Sequence, residues 1–259
     1  MIPKVIPYCW FSGEEMSPFI KRCISTWKKY LPDYELKLWD ANSFDFSSVP
    51  FVAEAYQAKK WAFVTDYVRL YALYTEGGIY LDSDVRVMKS FDRFLKYSFF
   101  TSQEYHPDMF LPVKGEVVDE QGKRLKESVP GMGIQAAVLG AEKGCPYLKD
   151  CLDYYATIHF NVERKNDFII VGLIARLMEK YGYRYVLEEQ YLEEYNMMIL
   201  PPYVFSGMTT LTDDSYAIHL YNGSWCDSSA GVKHRLRNRF PVVYSWIQKL
   251  YYKLSGIYR

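Results

Sequence analysis

The sequence lacks the features that mark membrane-spanning and secreted proteins. Its 259 residues contain no run close to the roughly 20 apolar residues of a membrane-spanning helix. The first segment, MIPKVIPYCWF, also lacks the charged-then-apolar layout of a secretory signal. We therefore expect a protein of the cytoplasm that neither spans a membrane nor is secreted.

Cysteine is scarce, and its spacing excludes two further classes of protein. The five cysteines are odd in number and show no CxxC spacing, so neither a zinc knuckle nor a disulfide framework is predicted. They are Cys9, Cys23, Cys145, Cys151 and Cys226. We expect reduced and mostly buried thiols, as in a reducing compartment.

The net charge is zero, with 31 basic and 31 acidic residues, which argues against a nucleic-acid partner. The charge is nevertheless uneven, because residues 232–259 carry seven Lys and Arg but no Asp or Glu. We predict one domain over residues 1–231 and a separate basic, aromatic, helical tail over residues 232–259. The tail either docks with a solvated basic face or attaches to the anionic inner face of a membrane.

Aromatic residues are abundant, with 25 Tyr, 15 Phe and 6 Trp. Tyr and Trp combine a stacking face with a polar group, which suits sugar or nucleoside binding, although most of them are expected in the core and its rim.

Hydrophobic periodicity predicts strands alternating with helices, which indicates an α/β fold with parallel βαβ units in a doubly wound sheet. The predicted strands are PKVIPYCWF, YELKLWD, IYLDSDVRV, YRYVL, MMILPPYVF and YAIHLYNGSW. Helices are predicted after Ser17, over 51–75 with a break near Lys59–Lys60, and in PYLKDCLDYYATI and FIIVGLIARLMEKYG. The polar residues 103–133 predict a flap or acceptor loop, with GEVVDEQGKRL as a hairpin.

Two carboxylates, Asp82 and Asp84, end the apolar strand IYLDSDVRV. They share a face if the strand continues, and they line a loop at its carboxyl end if the chain turns. That end is where open α/β sheets bind ligands. A pair of solvated turn aspartates would need no function, whereas a Mg²⁺ or Mn²⁺ ion holding a diphosphate would explain both carboxylates.

The preceding helix adds Asp66 and Arg69, which lie three residues apart and hence on one face. They can form a simple ion pair, or they can serve as a carboxylate for sugar hydroxyls and a guanidinium for phosphate. Gly77 and Gly78 then permit a tight turn with close backbone approach.

With these motifs in place, the sequence resembles the glycosyltransferase family whose sugar-binding region contains a DXD motif. The resemblance rests on IPKVIPYCWF, YELKLWD, TDYVRLYALYTEGGIYLDSDV and AIHLYNGSW. Members include fungal outer-chain-initiating mannosyltransferases and bacterial capsular-polysaccharide transferases. The resemblance implies a GT-A fold with a single Rossmann-like mixed sheet flanked by helices. It also implies a UDP- or GDP-hexose donor, a saccharide or lipid-linked glycan acceptor and a Mn²⁺ or Mg²⁺ ion.

The resemblance also implies roles for individual residues. Asp82, Asp84 and His219 would hold the metal, and Asp82, Asp84 and Arg69 would carry the catalytic step. The other implied substrate-binding residues are Pro7, Tyr8, Trp10, Asp66, Tyr80, Ser83, Gln135, Asp167, Ser224 and Trp225. Pro7 stands where relatives often have His.

Two other functions compete with this interpretation. An Asp-x-Asp phosphatase uses a similar carboxylate pair, but Val85–Arg86 follows the pair here, where a small residue and then Thr or Val is usual. A non-catalytic saccharide-binding relative would keep the fold without turnover, which the complete set of Asp, Arg and His residues disfavours.

Overall fold

The computed structural model of the protein describes residues 1–164, 169–221 and 243. The strands are β1 (Val5–Cys9), β2 (Glu35–Trp39), β3 (Gly78–Leu81), β4 (Val85–Val87), β5 (Phe99–Tyr105), β6 (Met132–Ile134), β7 (Val138–Ala141), β8 (Gln190–Leu192), β9 (Met197–Leu200), β10 (Phe205–Ser206) and β11 (Ala217–His219). The helices are α1 (Pro18–Tyr30), α2 (Pro50–Gln57), α3 (Trp61–Glu76), α4 (Pro107–Phe110), α5 (Lys114–Val117), α6 (Pro146–Ala156) and α7 (Ile170–Met178).

A mixed sheet forms the centre of the molecule, in the strand order β3-β7-β5-β9-β8 with β6 beside β5. β7 is antiparallel to both β3 and β5, whereas β9 is parallel to β5. The sheet is therefore mixed, as the resemblance implies, and the antiparallel β7 departs from the parallel βαβ units that the alternation indicates. The chain after β5 folds back and pairs β6 antiparallel to β5, instead of crossing over a face of the sheet. The mixed α/β class, with helices flanking the sheet, is confirmed.

Two smaller sheets lie beside the central one. β1 and β2 pair in parallel, and β11 pairs in parallel with β10 and antiparallel with β4. The antiparallel register of β11 and β4 places His219 opposite Val85, which is the residue directly after Asp84.

Side chains of the central strands alternate between two hydrophobic cores, because successive residues of a strand point to opposite faces. Tyr80 and Phe99 belong to the core that includes residues of α2, α3, α6 and α7. Their neighbours Ile79 and Phe100 belong to the second core, which includes Trp27 of α1. Both faces of the sheet are thus covered by hydrophobic cores.

The predicted helix boundaries around the first βα units are confirmed. The Ser17 hydroxyl caps α1 by accepting a hydrogen bond from the Ile20 amide at 3.3 Å, with Pro18 as the first helical residue. The break near Lys59–Lys60 separates α2 from α3. α3 ends at Gly77 and Gly78, whose φ angles are +76° and +119°. A Cβ atom on Gly78 would lie 2.5 Å from the Val5 carbonyl oxygen, so glycine allows β3 to start against β1.

Several predicted elements differ from the structure. The strand predicted over MMILPPYVF is divided into β9 and β10, which lie in different sheets. The segment YRYVL is not a strand, because Tyr183 and Tyr185 are buried in the core while the Tyr185 amide donates to the Gly122 carbonyl of a loop. The predicted flap contains the end of β5, the short helices α4 and α5 and the start of β6, and its hairpin is reduced to a single antiparallel bridge between Val118 and Arg124.

The cysteine prediction is confirmed where the structure describes it, since Cys9, Cys23, Cys145 and Cys151 are buried free thiols. In the described part of the chain, every helix is too short or too polar to cross a membrane. The predicted tail, residues 232–259, lies outside the described residues except for the isolated position 243.

Candidate active site

The chain turns at Asp82–Asp84, between β3 and β4, so the two carboxylates line a loop at the carboxyl end of β3. The Val85 amide closes the turn by donating to the Asp82 carbonyl oxygen at 2.9 Å. The Asp82 amide donates to the Ala137 carbonyl oxygen at 2.9 Å, just before β7. The turn is therefore fixed from both sides, and Asp82, Ser83 and Asp84 are all half-buried.

Arg69 connects α3 to this turn. Its Nη2 donates to Asp66 Oδ1 at 2.9 Å, and its Nη1 lies 3.2 Å from Asp82 Oδ1 and 3.3 Å from Asp82 Oδ2. Nη1 also donates to the Ala136 carbonyl oxygen at 2.7 Å. The predicted Asp66–Arg69 pair is thus buried and extends to the first aspartate of the motif.

Tyr80 completes this network from the strand itself. Its hydroxyl donates to Asp82 Oδ1 at 2.7 Å, and the Arg69 guanidinium lies 4.9 Å from the centre of its ring. Asp82 directly follows β3 and lies two residues after Tyr80, so the two side chains project to the same side and meet.

Burial and charge oppose each other in this network. Burial raises the pKa of Asp66 above its ordinary value, against the lowering effect of Arg69. Burial also disfavours the charged form of Arg69, but Asp82, Tyr80 and Asp66 outweigh it and raise the pKa of the guanidinium. Arg69 is therefore a permanent positive charge beneath the aspartates.

His219 reaches the same turn from β11. Its Nε2 lies 3.3 Å from Asp84 Oδ1 and 3.9 Å from Asp82 Oδ2. Burial alone would lower the pKa of His219, yet Asp84, with Asp82 behind it, raises it above the ordinary value. One imidazole and two carboxylates converge here.

This group of three residues fits a divalent cation. Asp82, Asp84 and His219 each offer one ligand atom, and these atoms all lie within 4.8 Å of one another. Carboxylate oxygens suit Mg²⁺ and Mn²⁺, while an imidazole nitrogen favours a first-row transition metal. The donor set therefore fits Mn²⁺ well and Mg²⁺ acceptably.

The residues predicted in the first loop lie along β1 and directly after it. Pro7 is buried, and the half-buried ring of Tyr8 packs edge-on against Trp27 at 5.5 Å. Trp10 Nε1 donates to the Glu14 carbonyl oxygen at 2.7 Å. Cys9 lies between these residues, and burial raises the pKa of its thiol while the nearby charges of Arg69 and Asp82 modify it. The carboxyl end of β1 therefore lies close to the network of Arg69 and Asp82. Stacking of Trp10 on a nucleobase stays a prediction.

Gln135 is buried, and its amide is already engaged by the protein. Its Oε1 accepts hydrogen bonds from the amides of Ala137 and Val138 at 3.0 and 3.2 Å. Its Nε2 donates to the Phe205 carbonyl oxygen at 2.9 Å. These contacts favour a role in holding strands together, and substrate binding by Gln135 stays a prediction. Asp167, Ser224 and Trp225 lie outside the described residues.

Three residues near the site were not found from the sequence. Glu104 is the residue before the last in β5, and its charge contributes to the raised pKa of His219. His106 Nε2 lies 2.9 Å from Glu104 Oε1. The ring of Tyr221 lies 4.0 Å from that of His219. The alternating polar residues in SQEYH were the available signal for Glu104 and His106, whereas Tyr221 read as one more aromatic residue.

Comparison with known proteins finds a family model that matches part of the chain, including the motif. A family model described as a glycosyltransferase sugar-binding region containing a DXD motif matches residues 18–101. Inositol phosphoceramide mannosyltransferase 3 of Schizosaccharomyces pombe is 34% identical over 103 residues, which cover 37% of this chain. The match spans 28% of that relative's length.

Solved structures show weaker likeness. The PaToxG glycosyltransferase has 19% identity and a TM-score of 0.49, with 70% of each chain covered. A glycosyltransferase involved in the glycosylation of the major capsid of PBCV-1 has 12% identity and a TM-score of 0.44, covering 92% of this chain and 99% of that one. The Asp82–Asp84 motif lies inside the matched segment, so the part of the chain that carries the motif is similar to glycosyltransferase sugar-binding regions that contain a DXD motif.

Proposed function

We propose that the protein is a metal-dependent glycosyltransferase of the GT-A type. It would transfer a hexose from a nucleoside-diphosphate sugar to a saccharide or lipid-linked glycan acceptor, with retention of anomeric configuration. The observation that carries this proposal is that ligand atoms of Asp82, Asp84 and His219 lie within 4.8 Å of one another. The two aspartates belong to the DXD turn, and His219 lies on β11, opposite the residue that follows the turn. The family match over residues 18–101 supports the reaction class.

The residues of the turn divide the work between them. Asp82, Asp84 and His219 would hold Mn²⁺ or Mg²⁺, which supplies Lewis-acid stabilisation of the departing diphosphate when bound. Asp82, Ser83 and Asp84 are half-buried, and their partial removal from solvent strengthens electrostatic interactions at the site. In a front-face retaining transfer the departing phosphate oxygen accepts the proton of the acceptor hydroxyl, so a separate protein base is not required.

Arg69 acts mainly by positioning in this proposal. Its Nη1 donates to Asp82 and to the Ala136 carbonyl oxygen, and its Nη2 donates to Asp66. These bonds fix the orientation of the Asp82 carboxylate at the site. The positive charge of Arg69 also offsets the negative charge of the two aspartates, which reduces their repulsion of a diphosphate. Direct contact between Arg69 and the donor stays a prediction.

Several candidate donors share the chemical group that the site would bind. UDP- and GDP-hexoses carry the same diphosphate, and the similarity to a mannosyltransferase that is named for inositol phosphoceramide makes GDP-mannose the first donor to test. The same similarity favours a lipid-linked acceptor over a free saccharide. Synthesis of a surface or capsular polysaccharide fits a glycan acceptor of either kind.

We place the protein in the cytoplasm, peripheral to the inner face of the membrane. Residues 232–259 hold seven basic residues and several large apolar ones, a composition that suits an anionic lipid surface. Lipid-linked acceptors would be held at that surface.

The decisive experiment measures sugar release and transfer from a panel of nucleotide sugars, with Mn²⁺ present and with EDTA. We expect Asp84→Asn to lower the rate at least about 10²-fold, because several kcal/mol of transition-state stabilisation depend on the bound cation. Asp153→Asn is the matched control, since Asp153 is an exposed aspartate on α6 that pairs with Lys149. The control should keep the full rate.

Three results would contradict the proposal. Full activity of Asp84→Asn in EDTA would exclude the metal-dependent transfer. Binding of Mn²⁺ without any turnover across the panel would favour a non-catalytic saccharide-binding protein. Release of phosphate from aryl phosphates would instead favour the phosphatase.

A further inference from the structure

Tyr221 has an unusual backbone conformation next to the candidate metal site. It follows β11 by two residues, and its φ angle is +45°. This left-handed region is uncommon for non-glycine residues and a genuine outlier for a bulky one. Such conformations persist when the surrounding structure holds them, and they concentrate at functional sites. The question is what this conformation places.

It places the Tyr221 ring against His219. The centres of the phenol and imidazole rings lie 4.0 Å apart, with the planes inclined by 37°. At this separation the two rings are in direct contact, and rotation of the imidazole about its Cβ–Cγ bond would drive it into the phenol. The contact therefore restricts the direction in which His219 Nε2 points.

The other end of the ring is accommodated by Gly207, just after β10. A Cβ atom built on Gly207 would lie 3.0 Å from the Tyr221 hydroxyl oxygen and 3.4 Å from Cε2. The Gly207 backbone is itself fixed, because its amide donates to Thr210 Oγ1 at 3.1 Å and that hydroxyl donates to the Pro202 carbonyl oxygen at 2.9 Å. Tyr221 is thus confined between an imidazole and a fixed backbone.

We propose that Tyr221 is a positioning residue that directs the imidazole of His219 toward Asp84 and so sets the affinity of the site for a divalent cation. His219 Nε2 lies 3.3 Å from Asp84 Oδ1 in this arrangement. Groups that orient a ligating histidine tune metal affinity by about 10- to 100-fold. The inference rests on the proposed function, because it concerns the same three ligands.

The test combines metal binding with a spectroscopic view of the metal-free protein. Mn²⁺ affinity of the full chain is measured by EPR titration for the wild type, Tyr221→Phe and Tyr221→Leu. Phenylalanine keeps the ring contact, so we expect its Mn²⁺ affinity within about twofold of wild type. Leucine removes the aromatic face, and we expect about 10-fold weaker Mn²⁺ binding.

The imidazole resonances report the contact without any metal. The chain has four histidines, so its histidine NMR spectrum is simple, and the loss of a signal in His219→Gln assigns His219. Tyr221→Leu should shift the His219 resonances through loss of the aromatic ring current, whereas Tyr221→Phe should leave them nearly unchanged. His106, whose ring centre lies 6.5 Å from that of Tyr221, should shift to a smaller extent. A general loss of structure would also shift His159, which pairs with Glu54.

Gly207→Ala is an independent variant should Tyr221→Leu not fold. The added methyl presses on the Tyr221 hydroxyl at 3.0 Å, so we expect shifted His219 resonances and several-fold weaker Mn²⁺ binding. Combining it with Tyr221→Phe removes that hydroxyl and leaves 3.4 Å to the nearest ring atom, which should restore both readouts. Equal effects of Gly207→Ala in both backgrounds would overturn the inference.

The failure of the inference differs from the failure of the proposed function. Wild-type Mn²⁺ affinity in a folded Tyr221→Leu protein would overturn the role of Tyr221 and leave the metal site intact. A wild-type chain that binds no Mn²⁺ would overturn the metal-dependent function and the inference together.

Discussion

At the scale of single residues, the candidate site depends on a buried ion pair with an unusual number of partners. The Asp66 and Arg69 side chains are 9% and 6% exposed, so both charges have lost most of their hydration. Such pairs contribute little net stability, but removal of one partner leaves the other charge buried and uncompensated. The network therefore resists change at any one member.

This reasoning predicts the effect of Arg69→Met. The variant leaves Asp66, Asp82 and the Ala136 carbonyl oxygen without their shared donor, and we expect the free energy of unfolding to fall by about 3–5 kcal/mol. Urea unfolding measures the change. Arg86→Met is the control, because Arg86 is exposed on β4 close to the same turn, and its effect should stay within about 0.5 kcal/mol. Equal effects of the two variants would show that the Arg69 network is not coupled to stability.

At the scale of secondary-structure elements, those with a local signal were predictable. Ser17–Pro18 begins α1 and Gly77–Gly78 ends α3, because caps and positive φ angles are encoded in the residues concerned. The sequence of IYLDSDVRV does not decide between a continuous strand and a turn, since the alternation of side chains continues through Asp82 and Asp84. The turn depends on the bond from the Asp82 amide to Ala137, which lies more than fifty residues away.

The failed elements have the same cause. YRYVL alternates like a strand, but Tyr183 and Tyr185 fill space in the core and the backbone pairs with a loop at Gly122. The direction of β7 was equally hidden, because it follows from the way the chain folds back onto β5 rather than from the residues of β7. Local patterns predict an element, while pairing partners decide its place in a sheet.

Close packing between two strands leads to a second prediction, which concerns Gly140. A Cβ atom on Gly140 of β7 would lie 2.0 Å from Cε1 of the buried Phe100 ring on β5. We expect Gly140→Ala to lower the free energy of unfolding by about 1–3 kcal/mol through overpacking, measured by urea unfolding.

Gly172→Ala is its matched control. Gly172 lies inside α7, and a Cβ atom built there would meet no other atom within 4 Å. Alanine should therefore stabilise the helix by about 0.5–1 kcal/mol, opposite in sign to the effect at Gly140. An equal loss of stability in the two variants would show that the effect at position 140 does not come from the contact with Phe100.

At the scale of the whole molecule, the site is assembled from distant parts of the chain. Asp82 and Asp84 come from the turn after β3, while His219 comes from β11, 135 residues after Asp84. All three residues were predicted from the sequence, the two aspartates by their motif and His219 by the resemblance. Their convergence follows from the antiparallel register of β4 and β11, which no local pattern contains.

The uneven charge of the whole chain gives the last prediction, that the basic tail binds anionic membranes. Residues 232–259 carry seven Lys and Arg and no acid, which leaves residues 1–231 with seven more acidic than basic residues. Each basic residue near an anionic surface contributes about 1 kcal/mol, so full-length protein should bind vesicles that contain phosphatidylserine and dissociate as salt is raised. A sedimentation assay with neutral phosphatidylcholine vesicles as control measures this binding.

Two variants separate the charge of the tail from its apolar residues. Full-length protein with Arg235→Gln, Arg237→Gln and Arg239→Gln keeps the aromatic residues and should bind anionic vesicles markedly less, because three cations are lost. A chain truncated after Val232 should not bind them at all. Unchanged binding by the truncated chain, or equal binding of the wild type to neutral vesicles, would contradict a basic membrane-attachment segment. The acidic body would then be expected to hold the tail against itself, and the triple variant would lose stability in urea instead of affinity for vesicles.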